Sequence, residues 1–127
     1  MTSPSDTDTS SMLALKRDPS AVCFRGQRLP EPLGATAHML VQGQVQPLGL
    51  HLHLRNHSPT GFEWGYGGSG PAQLALAMCV ELVDADTALK TYQEVKARLV
   101  ATIPQAAVKW EISGTTVYAV IAAAQSR

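Results

Sequence analysis

Charge is scarce in this chain: Asp, Glu, Lys and Arg make up 16% of its 127 residues, against about a quarter in an average soluble domain. The ten basic and ten acidic side chains cancel. That balance excludes a broad basic face for DNA, and equally an acidic mimic of nucleic acid. Cysteine is scarce too. Cys23 and Cys79 are the only two, too few for a disulfide scaffold, and no bridge between them is expected. Cys79 lies in an apolar run, where a buried, inert thiol is the usual outcome. Long hydrophobic runs are missing: the longest, Leu74–Val80, is far shorter than a membrane span needs. The opening MTSPSDTDTSS is polar and acidic, unlike a secretory signal. The expectation is a cytoplasmic protein with no membrane partner, in one domain of ordinary size.

What is present divides the chain into a tail and a single α+β domain. Residues 1–11 carry almost nothing to bury and read as a disordered tail. Residues 12–127 form the domain, with Met12–Lys16 a weak start. Ala21–Arg25 is a short strand, and Pro30, Pro32 and Gly34 mark a loop. Ala37–Val45 is a second strand. Over Pro47–Arg55 the leucines at 48, 50, 52 and 54 alternate with Gly49, His51, His53 and Arg55. A period of two predicts a third strand with His51 and His53 on its wet face. Asn56–Gly61 is a turn segment. Pro71–Val83 is a helix, capped by Ser69 or Gly70, and apolar on nearly every face. Thr87–Ile103 is an amphipathic helix ended by Pro104, and the short link between the two helices makes a hairpin. Val108–Ile112 reads as an edge strand. Thr115–Ala124 reads as a last helix, although its β-branched start also suits a strand. The architecture expected is a small antiparallel sheet of three to four strands packed against the helix hairpin. The low charge and the all-apolar helix point to self-association or a protein partner.

The segment Gly61–Gln73, GFEWGYGGSGPAQ, is the distinctive feature. Gly65, Gly67, Gly68 and Gly70 lie within six residues, and each loses much backbone freedom on folding. Two explanations compete. In one, the glycines let backbone approach a ligand at a helix start, where free N–H groups and the dipole favour phosphate or carboxylate. Trp64 and Tyr66 would then stack a flat ring, Ser69 and Gln73 would add polar contacts, and Arg55 and His57 would add positive charge. In the other, the loop is a tight structural turn anchored by its aromatics. Gly65–Gly70 formally satisfies G-x-G-x-x-G, but no strand runs directly into it and the acids at 84 and 86 come too early, so a dinucleotide fold is rejected. No lysine follows Gly70, which excludes a P-loop.

The run WGYGGSGPAQLALAM at Trp64–Met78, reached through HSPTGFE at His57–Glu63, resembles a family of small uncharacterised proteins with a domain of unknown function, found on phages, plasmids and integrated elements. Its pattern is similar to SPxGFxWGYxGSGPxQLALA, followed by a helix like Ala88–Pro104 and a tryptophan strand like Trp110–Ile112. The resemblance implies no established activity. It implies a mobile-element setting, and carries over Trp64, Gly65, Tyr66, Gly67, Ser69, Gly70, Pro71 and Gln73 as motif positions. Proteins of this kind often counter host defences, by inhibiting a defence protein or sequestering a nucleotide signal.

Other constellations are thin. His51, His53, His57 and Cys79 invite a metal, but a third ligand is not evident at conventional spacing beside the His51–His53 pair, Cys79 lies in an apolar helix, and no metal is expected. Ser69 does not sit in G-x-S-x-G. His57 with Glu63 would make an acid–base pair only if the fold brought them together. No convergent catalytic set emerges, and no cofactor is expected. Three functions stay open. The first is a non-enzymatic binder of a phosphate-bearing, nucleotide-like ligand at Arg55, His57, Trp64, Gly65, Tyr66, Gly67, Gly68, Ser69, Gly70 and Gln73. The second is a protein-interaction module that inhibits a host defence protein. The third is a small enzyme acting on nucleotides.

Overall fold

The computed structural model describes residues 15–126; the expected tail over residues 1–11 lies outside them. A 3-10 turn at Pro19–Ala21 leads into β1 (Val22–Leu29), β2 (Gly34–Val41) and β3 (Gln44–Pro47). Two helices follow, α1 (Ser69–Leu82) and α2 (Ala85–Arg98), then a 3-10 turn at Val100–Thr102, β4 (Lys109–Ser113) and α3 (Gly114–Gln125). The strands make one antiparallel sheet in the order β3-β2-β1-β4. The fold is α+β, a four-stranded sheet packed by helices. No helix among the described residues is long and apolar enough to cross a membrane.

Burial alternates along β1. Val22, Phe24 and Gly26 are buried, while Cys23, Arg25 and Gln27 are only partly so. The register sets Arg25 between His38 and Glu111, and Gln27 between Thr36 and Lys109. The core therefore lies on the Phe24 side, where Val22, Phe24, Met39 and Trp110 join the helices' apolar residues.

α1 is the centre of that core. Every residue from Gly70 to Leu82 is buried, so the chain itself covers the apolar circumference that the sequence alone had suggested a second subunit would share. α2 packs beside α1, and α3 against both, so the hairpin gains a third helix. Asp84 caps α2 through the Thr87 N–H, and Ser113 caps α3 through the Thr116 N–H at 3.1 Å. That cap settles Gly114–Gln125 as helix despite its β-branched start.

Three expected boundaries are corrected. Ala37–Val45 is not one strand, because Gln42 and Gly43 both take positive φ, 52° and 82°. They form the two-residue reversal that a twisted hairpin favours. Pro47–Arg55 is not a strand. β3 stops at Pro47, and residues 48–55 form a loop that tucks Leu48, Leu50 and Leu54 onto the core. The alternation of leucines was real, but no neighbouring strand supplies the ladder. The second helix stops at Arg98 rather than running to Ile103. Ile103 is extended, as a residue before proline prefers, and the Val100 carbonyl accepts the Gly65 N–H at 3.1 Å.

Candidate functional site

The glycine-rich segment leads from the loop and turn that follow β3 into the start of α1. Its aromatics divide. Phe62 and Trp64 point into the core, with Trp64 fully buried, whereas Tyr66 is 42% exposed. Trp64 meets Trp110 edge-on at 5.5 Å between ring centroids. The Arg28 guanidinium lies 4.4 Å from the centroid of the Trp64 ring, a cation–π arrangement that shields the ring from water.

Arg28 is also the clasp of the loop. It pairs with Glu63 through two hydrogen bonds, Nη1 to Oε2 at 3.0 Å and Nη2 to Oε1 at 2.8 Å. Its Nε and Nη2 donate to the Gln105 carbonyl at 3.1 and 2.7 Å. The hydrogen bonds from Arg28 hold the Glu63 carboxyl below the usual carboxylate range, against a smaller upward push from burial. Gly65 sits against this clasp at φ 88°, where a Cβ would lie 2.4 Å from the Gln105 Cα. A side chain there would strain the backbone and collide with it.

Gln73 works from the other side. It is fully buried on α1 and uses its whole amide on backbone. Its Oε1 accepts the N–H groups of His57 and Ser58 at 2.8 and 2.9 Å. Its Nε2 donates to the carbonyls of Leu50 and Arg55 at 2.6 and 3.0 Å. These bonds replace a strand ladder for residues 50–58 and dock that segment on the first turns of α1. His57 shares a 2.7 Å hydrogen bond between its Nε2 and the Tyr92 hydroxyl. Arg55 is exposed, and its guanidinium donates to the Leu54 carbonyl at 2.7 Å.

The structure thus sorts the sequence-derived residues. Trp64, Gly65, Gly70 and Gln73 are packed inward as buttress, with a Cβ on Gly70 lying 2.6 Å from the Glu63 Cβ. Tyr66, Gly67 and Ser69 form an exposed crest, with the Tyr66 ring lying against Gly68. Arg55 and His57 are joined to the same end of α1 through Gln73. α1 begins from Gly68 with no side-chain cap and no acidic residue in its first turn.

Other groupings from the sequence are not assembled. Glu63 belongs to Arg28 and His57 to Tyr92, so the two do not form an acid–base pair. His51 is not a wet-face strand residue. It has φ 57° and its Nε2 lies 2.9 Å from Glu81 Oε2, while Arg17 reaches Glu81 Oε1 at 2.7 Å. Among the described residues no three His, Cys, Asp or Glu side chains converge to hold a metal. Sequence reasoning missed Arg28, Gln105 and Tyr92. Arg28 lies 35 residues from Glu63 and 77 from Gln105, distances that no local pattern spans.

No curated protein and no solved structure matches the chain. From Phe24 in β1 to Ala123 in α3, residues 24–123 match the family of unknown function DUF6166, and the chain belongs to that family.

Proposed function

We propose that this protein is a small non-enzymatic binding module that takes a phosphate-bearing, nucleotide-like ligand at the crest Tyr66–Ser69 where α1 begins. The observation that carries the reading is the uncapped start of α1, which has no acid in its first turn and is presented by a loop clasped through Arg28, Glu63 and Gln73. Free N–H groups at a helix start favour an anion, and the exposed Tyr66 ring offers a flat apolar surface for a base. The mobile-element setting implied by the sequence resemblance makes sequestration of a nucleotide signal the expected use.

The test is thermal denaturation against nucleotides, dinucleotides and ADP-ribose derivatives. Binding to the folded state raises the melting temperature by mass action. A rise that disappears in Tyr66→Ala and in Ser69→Glu supports the reading. The glutamate places a carboxylate where the anion would sit, while suiting the helix dipole. No rise with any compound, or the same rise in both variants, removes it.

A second reading, a protein-interaction module, is favoured by an apolar groove of about 630 Å³ between the Leu15–Ser20 segment and Thr115, Tyr118 and Ala119 of α3. A partner captured by the native chain and lost with Tyr118→Arg would favour it; equal capture by both would exclude the groove.

A further inference from the structure

The sheet has one face packed by helices and one that no described element covers. On the open face the register gathers five polar side chains around the bare Gly26–Trp110 backbone pair. They are Arg25 and Gln27 from β1, His38 from β2, and Lys109 and Glu111 from β4. Together they line a depression of about 570 Å³, a volume typical of small-ligand sites. In a chain with so few charges, placing two permanent cations and one acid in a single hollow is a concentration of charge.

The guanidinium in that hollow is only partly engaged. Arg25 Nε lies 2.8 Å from Glu111 Oε2. The contact is off the N–H axis, so this buried nitrogen makes no directed hydrogen bond. Among the described residues no carboxylate or carbonyl takes the rest of the guanidinium, and neither Lys109 nor the His38 ring has a hydrogen-bonding or ionic partner. Glu111 and the neighbouring Cys23 thiol, which also interacts with the guanidinium, thus steady Arg25 from the side. The planar fork of an arginine next to a lysine point charge is the arrangement that recognises phosphate or carboxylate oxygens. Among the described residues the aromatic rings at this depression are the His38 imidazole and that of Trp110, which is buried against Trp64, and this argues for an oxyanion group rather than a stacked base.

We propose that this depression is a second binding site, which takes a small polyanion, phosphate or carboxylate, between Arg25 and Lys109, with Gln27 and His38 as further hydrogen-bonding partners. It is separate from the crest at α1, on the far side of the sheet from the core, and stands or falls independently of it.

The test is an amide-resolved NMR titration of the full chain with inorganic pyrophosphate and, separately, malonate. The amides of residues 25–27 and 109–111 are expected to shift and saturate with at least one of the two, which also separates phosphate from carboxylate preference. Lys109→Gln is expected to weaken that binding at least fivefold, and Arg25→Gln with Lys109→Gln to abolish it. Lys90→Gln, on the exposed face of α2, removes the same charge elsewhere and is expected to leave binding unchanged. Absence of saturable shifts at those amides with both anions overturns the proposal. So does an equal loss in Lys90→Gln, which would mean diffuse attraction. Shifts confined to residues 66–72 would speak for the α1 site alone and overturn this one.

Discussion

Single residues hold the site by contacts that composition does not announce. Gln73 is the sharpest case, one amide bonded to four backbone groups of residues 50, 55, 57 and 58. Gln73→Leu keeps the helix and the volume but strands two donors and two acceptors. The expected loss is about 2–4 kcal/mol, because an unmade bond in a desolvated site costs more than a made one contributes. Urea denaturation measures it, and a loss below about 0.5 kcal/mol, the size of an ordinary surface substitution, would show that water replaces the clamp. The sequence marked Gln73 as a candidate polar contact for a ligand and as a position of the family motif. It did not say whether the amide faced a ligand or the chain, because that depends on which loop lies against it. From sequence, Trp64 and Tyr66 suit either rings that stack a ligand or anchors of a turn, and only packing decides which goes inward.

At the scale of elements, the loop from Gly61 to Gly68 is held by an ion pair rather than by a ladder. Glu63 titrates below its ordinary value because Arg28 binds its charged form. A carboxyl with a lowered folded-state pKa contributes stability above its unfolded value, near pH 4.3, and loses it as pH falls through the folded value. Acid is therefore expected to loosen the loop below about pH 4.3, releasing Arg28 from the Trp64 ring. Tryptophan fluorescence followed from pH 6 downward reads this step, and Glu63→Gln is expected to flatten it. An unchanged profile in that variant would assign the acid step elsewhere. The helices were legible because their apolar patterning is a local signal, although the cap expected at Ser69 or Gly70 is not made and α1 begins from Gly68 without a side-chain cap. The strand expected at 47–55 was not there because alternation reports which side chains are buried, not which backbone they pair with.

The whole molecule is organised around one buried helix, and the α+β class followed from the order of its elements. Cys79 lies in the middle of α1, fully buried, and burial pushes its thiol far above the usual range. Cys23, on the open sheet face, is raised mainly by partial burial, with Glu111 adding to it. The folded protein is expected to react with a thiol reagent at Cys23 alone, and slowly at neutral pH. Cys79 becomes reactive only as the chain unfolds globally, since reaching it requires parting α1 from its neighbours. Peptide mapping after timed labelling checks both sites. Labelling of Cys79 at a rate independent of urea would show that α1 is exposed by a local opening. The apolar circumference of α1 does not call for a second subunit, because α1 is enclosed by its own chain; the scarcity of charge that also pointed to a partner is unaffected by this.

The glutamine clamp has a consequence for how this surface can change. Gln73 reads the path of residues 50–58 through main-chain atoms and makes no demand on most of their side chains. A stretch fixed in this way resembles a display loop. Its outward residues, Arg55 and Asn56 among them, are replaceable without altering the trace that carries them. New recognition is therefore cheapest to evolve, or to engineer, on this segment, with Gln73 kept and its exposed neighbours varied.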